Sequence, residues 1–369
     1  MNRLHRYAIV SLILITSLLA NHAQAEPQTY ANGCIATVSQ HISRWSEGGF
    51  LPLNEKDILL AVTGYTNWNH DHSPANIYGF WSHDGGISWT PQENAILLQD
   101  AASLGHENVM SVSLLKLQSG DVLMTFFTYK REKEPGGMYV KRSSDLGKNW
   151  TKPICVHPEL VSMPGRSFQL ATGRIIVPVA GGVAYSDDDG KTFNAGLCPQ
   201  TGGNEASVVE LKDGRLLLFM RNSTGQILKS YSTDKGQTWS TMQPTGILCP
   251  ASMNTLTRLQ NGDIMLIFNM ARDKAEIKGP WPRHRLCTMI STDEGMTWHH
   301  PRLLDGGNQY ADVLKITMAS AVTLGPDTVL VAWSRSPMQS KEHYRNLYDY
   351  RFRKFNLDWL YAEPDSKRK

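Results

Sequence analysis

Short apolar runs entered through polar turns recur along this chain. They read KDILLAV from Lys56, GDVLMTFF from Gly120, GRIIVPVA from Gly173, GRLLLFM from Gly214, GDIMLIF from Gly262 and PDTVLVAW from Pro326. Each run is too short for a helix of ordinary length and is rich in β-branched and aromatic residues, so each predicts a buried strand. A second pattern alternates with the first: Ser-x-Asp-x-Gly-x-polar-aromatic. It appears as SHDGGISW (Ser82–Trp89), SSDLGKNW (Ser143–Trp150), SDDDGKTF (Ser186–Phe193), STDKGQTW (Ser232–Trp239) and STDEGMTW (Ser291–Trp298). Such an octet predicts a self-satisfying turn, in which Ser and Asp side chains bond nearby backbone and Gly supplies a positive φ. The stretch Asn204–Trp239 shows one whole unit: strand, Lys-Asp-Gly turn, second strand ending in Arg221, third strand, octet turn.

The two patterns return at intervals of roughly 40–60 residues with no long helical periodicity, which is the signature of a β-propeller. One such unit cannot cover its own faces, so neighbours must stack around an axis. Six strand runs predict six blades. The last run lacks an octet turn, and an irregular final repeat suits ring closure between the chain ends.

The first residues stand apart. Arg3 and Arg6 precede an apolar run, Tyr7–Ala20, and Ala23-Gln24-Ala25 forms a small-residue cleavage site. This order predicts a signal peptide over 1–25 and export to a periplasm or beyond. The run is shorter than the ~20 apolar residues of a membrane span, and no later segment is longer, so no span is expected in the mature chain. Residues 26–369 are expected to form a single domain and to act as a monomer.

The net charge of +3 and the absence of a long basic run argue against nucleic acid as a partner. Of five cysteines, an oxidising compartment could pair two or four and must leave at least one over. No Cys or His spacing suggests zinc. His70-Asp71-His72 offers two ligands without an evident third, so neither metal nor cofactor is expected.

The octet turns resemble the Asp boxes of the sialidase (neuraminidase) superfamily, and the likeness runs from about Ile42 to Tyr361. It implies an all-β, six-bladed propeller with five Asp boxes, whose aspartates (Asp84, Asp145, Asp188, Asp234, Asp293) are structural. It also implies a substrate site on the loops at one end of the axis.

Read alone, Arg221 fits an edge residue reaching solvent as well as an anion ligand, and Glu205 fits a solvated loop carboxylate. The resemblance gives the pair a role: Arg221 in an arginine triad that holds a substrate carboxylate, and Glu205 as base for a tyrosine nucleophile. Guanidinium suits that task because it binds carboxylate in two-pronged fashion. A tyrosine avoids the repulsion that a carboxylate nucleophile would meet, and sialidases use one. By order along the chain, Tyr310 in GGNQYADVLKI matches that nucleophile. Arg285, which leads directly into LCTMIS, is preferred over Arg283 for the triad. Arg44, with Glu47 beside it, matches the first arginine, and Asp71 matches the acid/base, for which a raised pKa is required. His106, Asn108, Arg166 and Asn254 precede strands and are candidate substrate contacts or turn caps.

The resemblance therefore implies an exported exo-glycoside hydrolase that removes a terminal acidic sugar from glycans with retention. Many members carry Arg-Ile-Pro at the first arginine, whereas this chain has Arg44-Trp45-Ser46-Glu47. That departure motivates one alternative, a hydrolase or lyase acting on another anionic sugar such as a uronic acid; the occurrence of Asp boxes in non-enzymes motivates a second, a non-catalytic glycan- or protein-binding propeller.

Overall fold

Each of the six apolar runs becomes the second strand of a four-stranded antiparallel group. The computed structural model describes residues 29–362 apart from 67–69, 132, 200–202, 279–282, 308–312 and 339–346; the predicted leader and Tyr310 lie outside the described residues. After β1 (Thr29–Ala36) come β2 (Arg44–Pro52), β3 (Ile58–Tyr65), β4 (Ala75–Ser82) and β5 (Ile96–Gln99). Next are β6 (Asn108–Lys116), β7 (Val122–Arg131), β8 (Glu134–Ser143) and β9 (Ile154–His157). The third group is β10 (Phe168–Gln169), β11 (Ile175–Val179), β12 (Gly182–Ser186) and β13 (Asn194–Leu197). The fourth is β14 (Gly203–Glu210), β15 (Leu216–Asn222), β16 (Gln226–Ser232) and β17 (Gln243–Leu248). The fifth is β18 (Thr255–Arg258), β19 (Ile264–Asn269), β20 (Arg285–Ser291) and β21 (His299–Gly306). The chain closes with β22 (Val313–Leu324), β23 (Thr328–Met338) and β24 (Asp349–Asn356).

The architecture is an all-β propeller. Where the repeats predict six separate blades, the sheets are four of four strands and one of eight. The eight-stranded sheet holds β2–β5 and β6–β9, linked by a single parallel pair, Ala75 with Asn108. The last sheet has the order β1-β24-β23-β22, so the first strand of the chain completes the final group through antiparallel pairing of β1 with β24. Two five-residue helices, α1 (Lys274–Lys278) and α2 (Leu357–Tyr361), add to the strands. No helix among the described residues is long and apolar enough to cross a membrane. All five cysteines are free thiols, so neither of the disulfides allowed by the count is formed.

Alternation along the second strands explains their unbroken apolar character. Side chains on a strand point to opposite faces in turn, and both faces here meet a neighbouring group. Leu60 packs toward Leu330 and Phe352, while Leu59 and Ala61 pack toward Val112 and Met124. Leu123 faces Ile175 and Val177, and Ile176 faces Ala206 and Leu216. Leu217 and Phe219 meet Ile264 and Leu266, whereas Met265 and Ile267 meet Val329 and Val331. The core is thus a ring of apolar seams between successive groups.

The five octet turns share one hydrogen-bond scheme. The Ser hydroxyl donates to the Asp carboxylate two residues on and accepts the amide of the Gly four residues on. The Asp then accepts the amide and the side chain of the residue four positions further, as Asp188 does from Thr192 N at 2.9 Å and Thr192 Oγ1 at 2.6 Å. The same holds at Asp84, Asp145, Asp234 and Asp293. Glycine is required because φ is positive there, for example 83° at Gly190. Burial acts to raise the Asp188 pKa, but the Thr192 and Ser186 hydrogen bonds outweigh it and hold the carboxyl at about 2.

A carboxyl held low when folded stabilises the fold above its unfolded pKa of about 3.9 and loses that contribution as pH falls toward the folded value. Asp188→Asn is therefore expected to lower Tm by a few degrees at neutral pH. Its deficit relative to wild type should shrink as pH falls from about 4 to about 2. A deficit independent of pH in thermal scans would contradict the role given to the charge.

Candidate active site

The inner strands are bent where the charged residues gather. β2 carries a register shift between Ser46 and Gly49, β6 one between Met110 and Ser113, β14 one between Gly203 and Ala206, and β22 one between Thr317 and Ser320. Three of these bulges contain a non-glycine residue at positive φ: Glu47 at 59°, Ser111 at 56° and Met318 at 55°. A bulge re-aims a side chain, and such backbone persists only where its surroundings over-determine it. Here the surroundings are visible: Glu47 Oε2 accepts from Ser111 N at 3.1 Å and Ser111 Oγ at 2.9 Å, locking two bulges together.

Arg44 opens β2 with only 5% of its surface exposed. Its Nη2 donates to Glu47 Oε1 at 2.9 Å and Ser46 Oγ at 3.3 Å, and its Nη1 donates to Asp71 Oδ1 at 2.7 Å. The guanidinium lies 4.4 Å from the Tyr65 ring centroid and 5.7 Å from that of Tyr348. Burial pushes Glu47 up to about 7 against the opposing pull of Arg44. Glu47 is 1% exposed, so it is the counter-ion beneath Arg44 and not the substrate contact expected from sequence.

Asp71 is the exposed partner, with 61% of its side chain open to solvent. Desolvation acts to raise its pKa, but the charge and hydrogen bond of Arg44, helped by Lys315 and Arg221, hold it below the ordinary value. That is opposite to the raised pKa expected of an acid; the cause is the ion pair with Arg44, which favours the carboxylate. The flanking His70 and His72 rings are stacked, with centroids 5.5 Å apart. Asn108, expected to touch substrate, is fully buried and instead donates to the backbone carbonyls of Asp71 at 3.1 Å and Ser73 at 2.5 Å. It fastens the loop that presents Asp71.

Glu205 and Arg221 face each other across the β14–β15 hairpin. Arg221 Nη1 donates to both carboxylate oxygens, at 2.6 and 2.7 Å, with the side chains 24% and 11% exposed. Arg283 donates to Ala251 O at 2.5 Å and lies within electrostatic reach of Arg221, Glu205, Tyr348 and Asp71. Burial and the Arg221 charge both lower its pKa. Arg285 sits elsewhere: its Nη2 bonds Glu276 on α1 at 2.5 Å and its Nη1 bonds Met270 O at 3.1 Å. The preference for Arg285 over Arg283 is thereby reversed. The two arginines are two residues apart, so a choice between them turns on where β20 begins.

Three further candidates fall into place differently. Arg166, 6% exposed, donates to Ala206 O and to Thr255 Oγ1, both at 3.0 Å, tying inner strands together. Burial lowers its pKa to about 10, with Glu205 opposing. It also lines a cavity of about 580 Å³ with Phe168, Val208, Leu256 and Arg258, which includes none of Arg44, Asp71, Glu205 or Arg221. His106 packs edge-on to Tyr139 at 5.7 Å and has Lys130 and Glu134 as its charged neighbours, away from the cluster. Asn254 is 1% exposed, and among the described residues neither its Oδ1 nor its Nδ2 has a hydrogen-bond partner.

Sequence reasoning missed Lys315, Tyr65 and Tyr348. Lys315 left a trace, as a lone cation in the apolar run Val313–Ala319. Tyr348 left none: it reaches the site because it pairs in parallel with Arg44, from the other end of the chain.

Residues 95–322 match the family model of the BNR repeat-like domain, and 80–91 match the BNR/Asp-box repeat. The chain belongs to the BNR repeat-like domain family. This BNR repeat-like chain is 29% identical over 200 residues to a sialidase of Bacteroides fragilis, covering 47% of the chain and 36% of that relative. It is 24% identical over 354 residues to a sialidase of Micromonospora viridifaciens, covering 82% of the chain and 50% of that relative. It thus spans half or less of the length of these curated relatives. Among solved structures, a Hadza microbial sialidase superposes with a TM-score of 0.70 at 18% identity, over 89% of this chain and 69% of that one. That likeness is one of fold.

The two arginines that compete for one place in the BNR repeat-like chain can be told apart by stability. Arg285→Met removes the shortest ion pair of the partly buried Glu276, which keeps His284 and Arg272, and opens a buried position, so it is expected to cost about 1–3 kcal/mol in chemical denaturation. Arg283→Met removes a cation from among cations and should cost under about 1 kcal/mol. The reverse order would contradict the placement.

Proposed function

We propose that this chain is an exported exo-glycoside hydrolase of sialidase type, acting on glycans that end in sialic acid or a related acidic sugar. The observation that supports it most is the convergence of Arg44, Arg221 and Arg283 from separate inner elements, beside Glu205 and Asp71. Three guanidinium groups with carboxylates close by suit a sugar whose carboxylate sits on the anomeric carbon. The sialidase relatives point to the same chemistry.

In this reading the substrate carboxylate takes the three arginines and displaces Asp71 from Arg44. Asp71 then loses its counter-ion and gains a negative neighbour, and both changes raise its pKa. Asp71 is thereby protonated when substrate is bound and donates that proton to the leaving-group oxygen. The Tyr310 oxygen attacks the anomeric carbon as the glycosidic bond breaks, and Glu205 takes the phenol proton. Water then releases the sugar from the tyrosyl intermediate with retention. Asn254, with an unsatisfied amide, is a candidate hydrogen-bond partner for the sugar.

The proposal extends to the whole chain. Residues 1–25 are a cleaved leader, 26–369 are one catalytic domain working as a monomer, and the eight-stranded sheet counts as two blades of six, since one residue pair alone joins its halves. A second reading, another anionic sugar such as a uronic acid, is favoured by Trp45-Ser46-Glu47 after the first arginine and by the extra cation Lys315.

The test is release of a fluorescent aglycone from an N-acetylneuraminic acid glycoside by wild type and Tyr310→Phe, with the product anomer followed by NMR. Wild-type turnover with retention, reduced by at least about 10³-fold in the variant, is expected. An unchanged rate in the variant removes Tyr310 from the mechanism, and no turnover of any acidic glycoside by wild type overturns the proposal.

A further inference from the structure

The cations of the site outnumber what one carboxylate needs. Arg44 from β2 is paired with Glu47 and Asp71, and Arg221 from β15 with Glu205. Arg283, ahead of β20, bonds a backbone carbonyl. Lys315 from β22 is half-buried, and its Nζ lies 5.7 Å from the Tyr348 ring centroid, the same ring that Arg44 approaches from 5.7 Å. Among the described residues, neither Arg283 nor Lys315 has a carboxylate within ion-pair distance. A partly buried ammonium without a counter-ion is unfavourable, and one aromatic face compensates only in part.

The imbalance outlasts binding of a singly charged sugar. In the free protein Asp71 supplies one negative charge. On the reading above, the substrate carboxylate replaces that charge while Asp71 takes up a proton, so the total does not change. Arg283, whose carbonyl accepts from Ile316 N at 2.9 Å beside Lys315, then shares the substrate carboxylate, while Lys315 still has no carboxylate within ion-pair distance among the described residues.

We propose that Lys315, at the Arg283 edge of the carboxylate position, forms a second anion seat, fitted to an acidic sugar that bears two negative groups, the second a sulfate ester or another carboxylate. Lys315 is the specificity-determining residue of this seat. The sugar identity rests on the hydrolase reading; the dianion preference does not, and can be measured without turnover.

Titration gives an independent readout. Burial first, then Arg283, Arg44 and Arg221, push Lys315 down to about 8, with Asp71 opposing. Above that value the ammonium is lost, so dianion affinity should fall as pH rises through it. Of the other groups facing Lys315, Asp71 is ionised in the free protein and its proton uptake on carboxylate binding is common to acetate and malonate, so it cancels in their ratio; Glu47 titrates near 7 and Tyr348, pushed up to about 12, stays neutral.

Calorimetric titration of the mature chain with acetate, malonate and sulfate tests the seat. Malonate and sulfate should bind at least about tenfold more tightly than acetate near pH 7.5, and the advantage should shrink by about pH 9.5. Lys315→Gln should remove most of it and flatten the pH dependence while changing acetate binding less than about twofold, and Lys315→Arg should restore it. Equal affinity for acetate and malonate, no binding of any probe, or an equal loss for all probes in Lys315→Gln overturns the proposal. Dianion selectivity in a protein that hydrolyses no acidic glycoside would instead sink the hydrolase reading and leave the seat standing.

Discussion

A guanidinium at the inner end of β2, almost closed off from water, is the constraint to which much else answers. Arg44 cannot be held there without a counter-charge, because an uncompensated buried ion costs several kcal/mol. Glu47 supplies that charge from three residues away. On a regular strand, residues three apart point to opposite faces. The bulge and positive φ at Glu47 bring its carboxylate back to Arg44. Ser111, in the matching bulge of β6, satisfies the other carboxylate oxygen. Tyr348, brought in by ring closure, covers the far side. One ion pair thus couples two neighbouring inner strands and the last group of the chain.

Separation of labour follows from the geometry. The octet turns confine their aspartates in local hydrogen-bond cages, which makes them poor proton donors and good staples. The inner strand ends do the opposite: they expose charges to each other and leave Asp71 mostly solvent-facing. The caged and the solvent-facing aspartates are therefore distinguished by what surrounds them, since their residue type is the same.

What the sequence made legible was local. The apolar runs and octet turns are defined within eight or so residues, and all appear in the expected form. Glu205 and Arg221 were legible as a pair because a hairpin sets their separation. Other parts depend on register or on distant packing. The bulge that turns Glu47 under Arg44, and Asn108's role as a fastening for the Asp71 loop, do not show in residue spacing. Arg285 looked better than Arg283 because it adjoins the apolar strand, yet that adjacency is what buries it against Glu276. The count of sheets differed for a similar reason: a single parallel pair between Ala75 and Asn108 fuses two groups, and no turn motif announces it.

The hydrolase reading proposed above requires that the buried and half-buried arginines receive a substrate carboxylate next to the bond that breaks. Its most direct measurement compares kcat/KM for an acidic glycoside with that for its neutral carboxamide analogue. Losing two or more charge-assisted hydrogen bonds, each worth about 1.5–3 kcal/mol, predicts a drop of at least about 10²-fold for the amide. Comparable kcat/KM values for acid and amide would contradict the account.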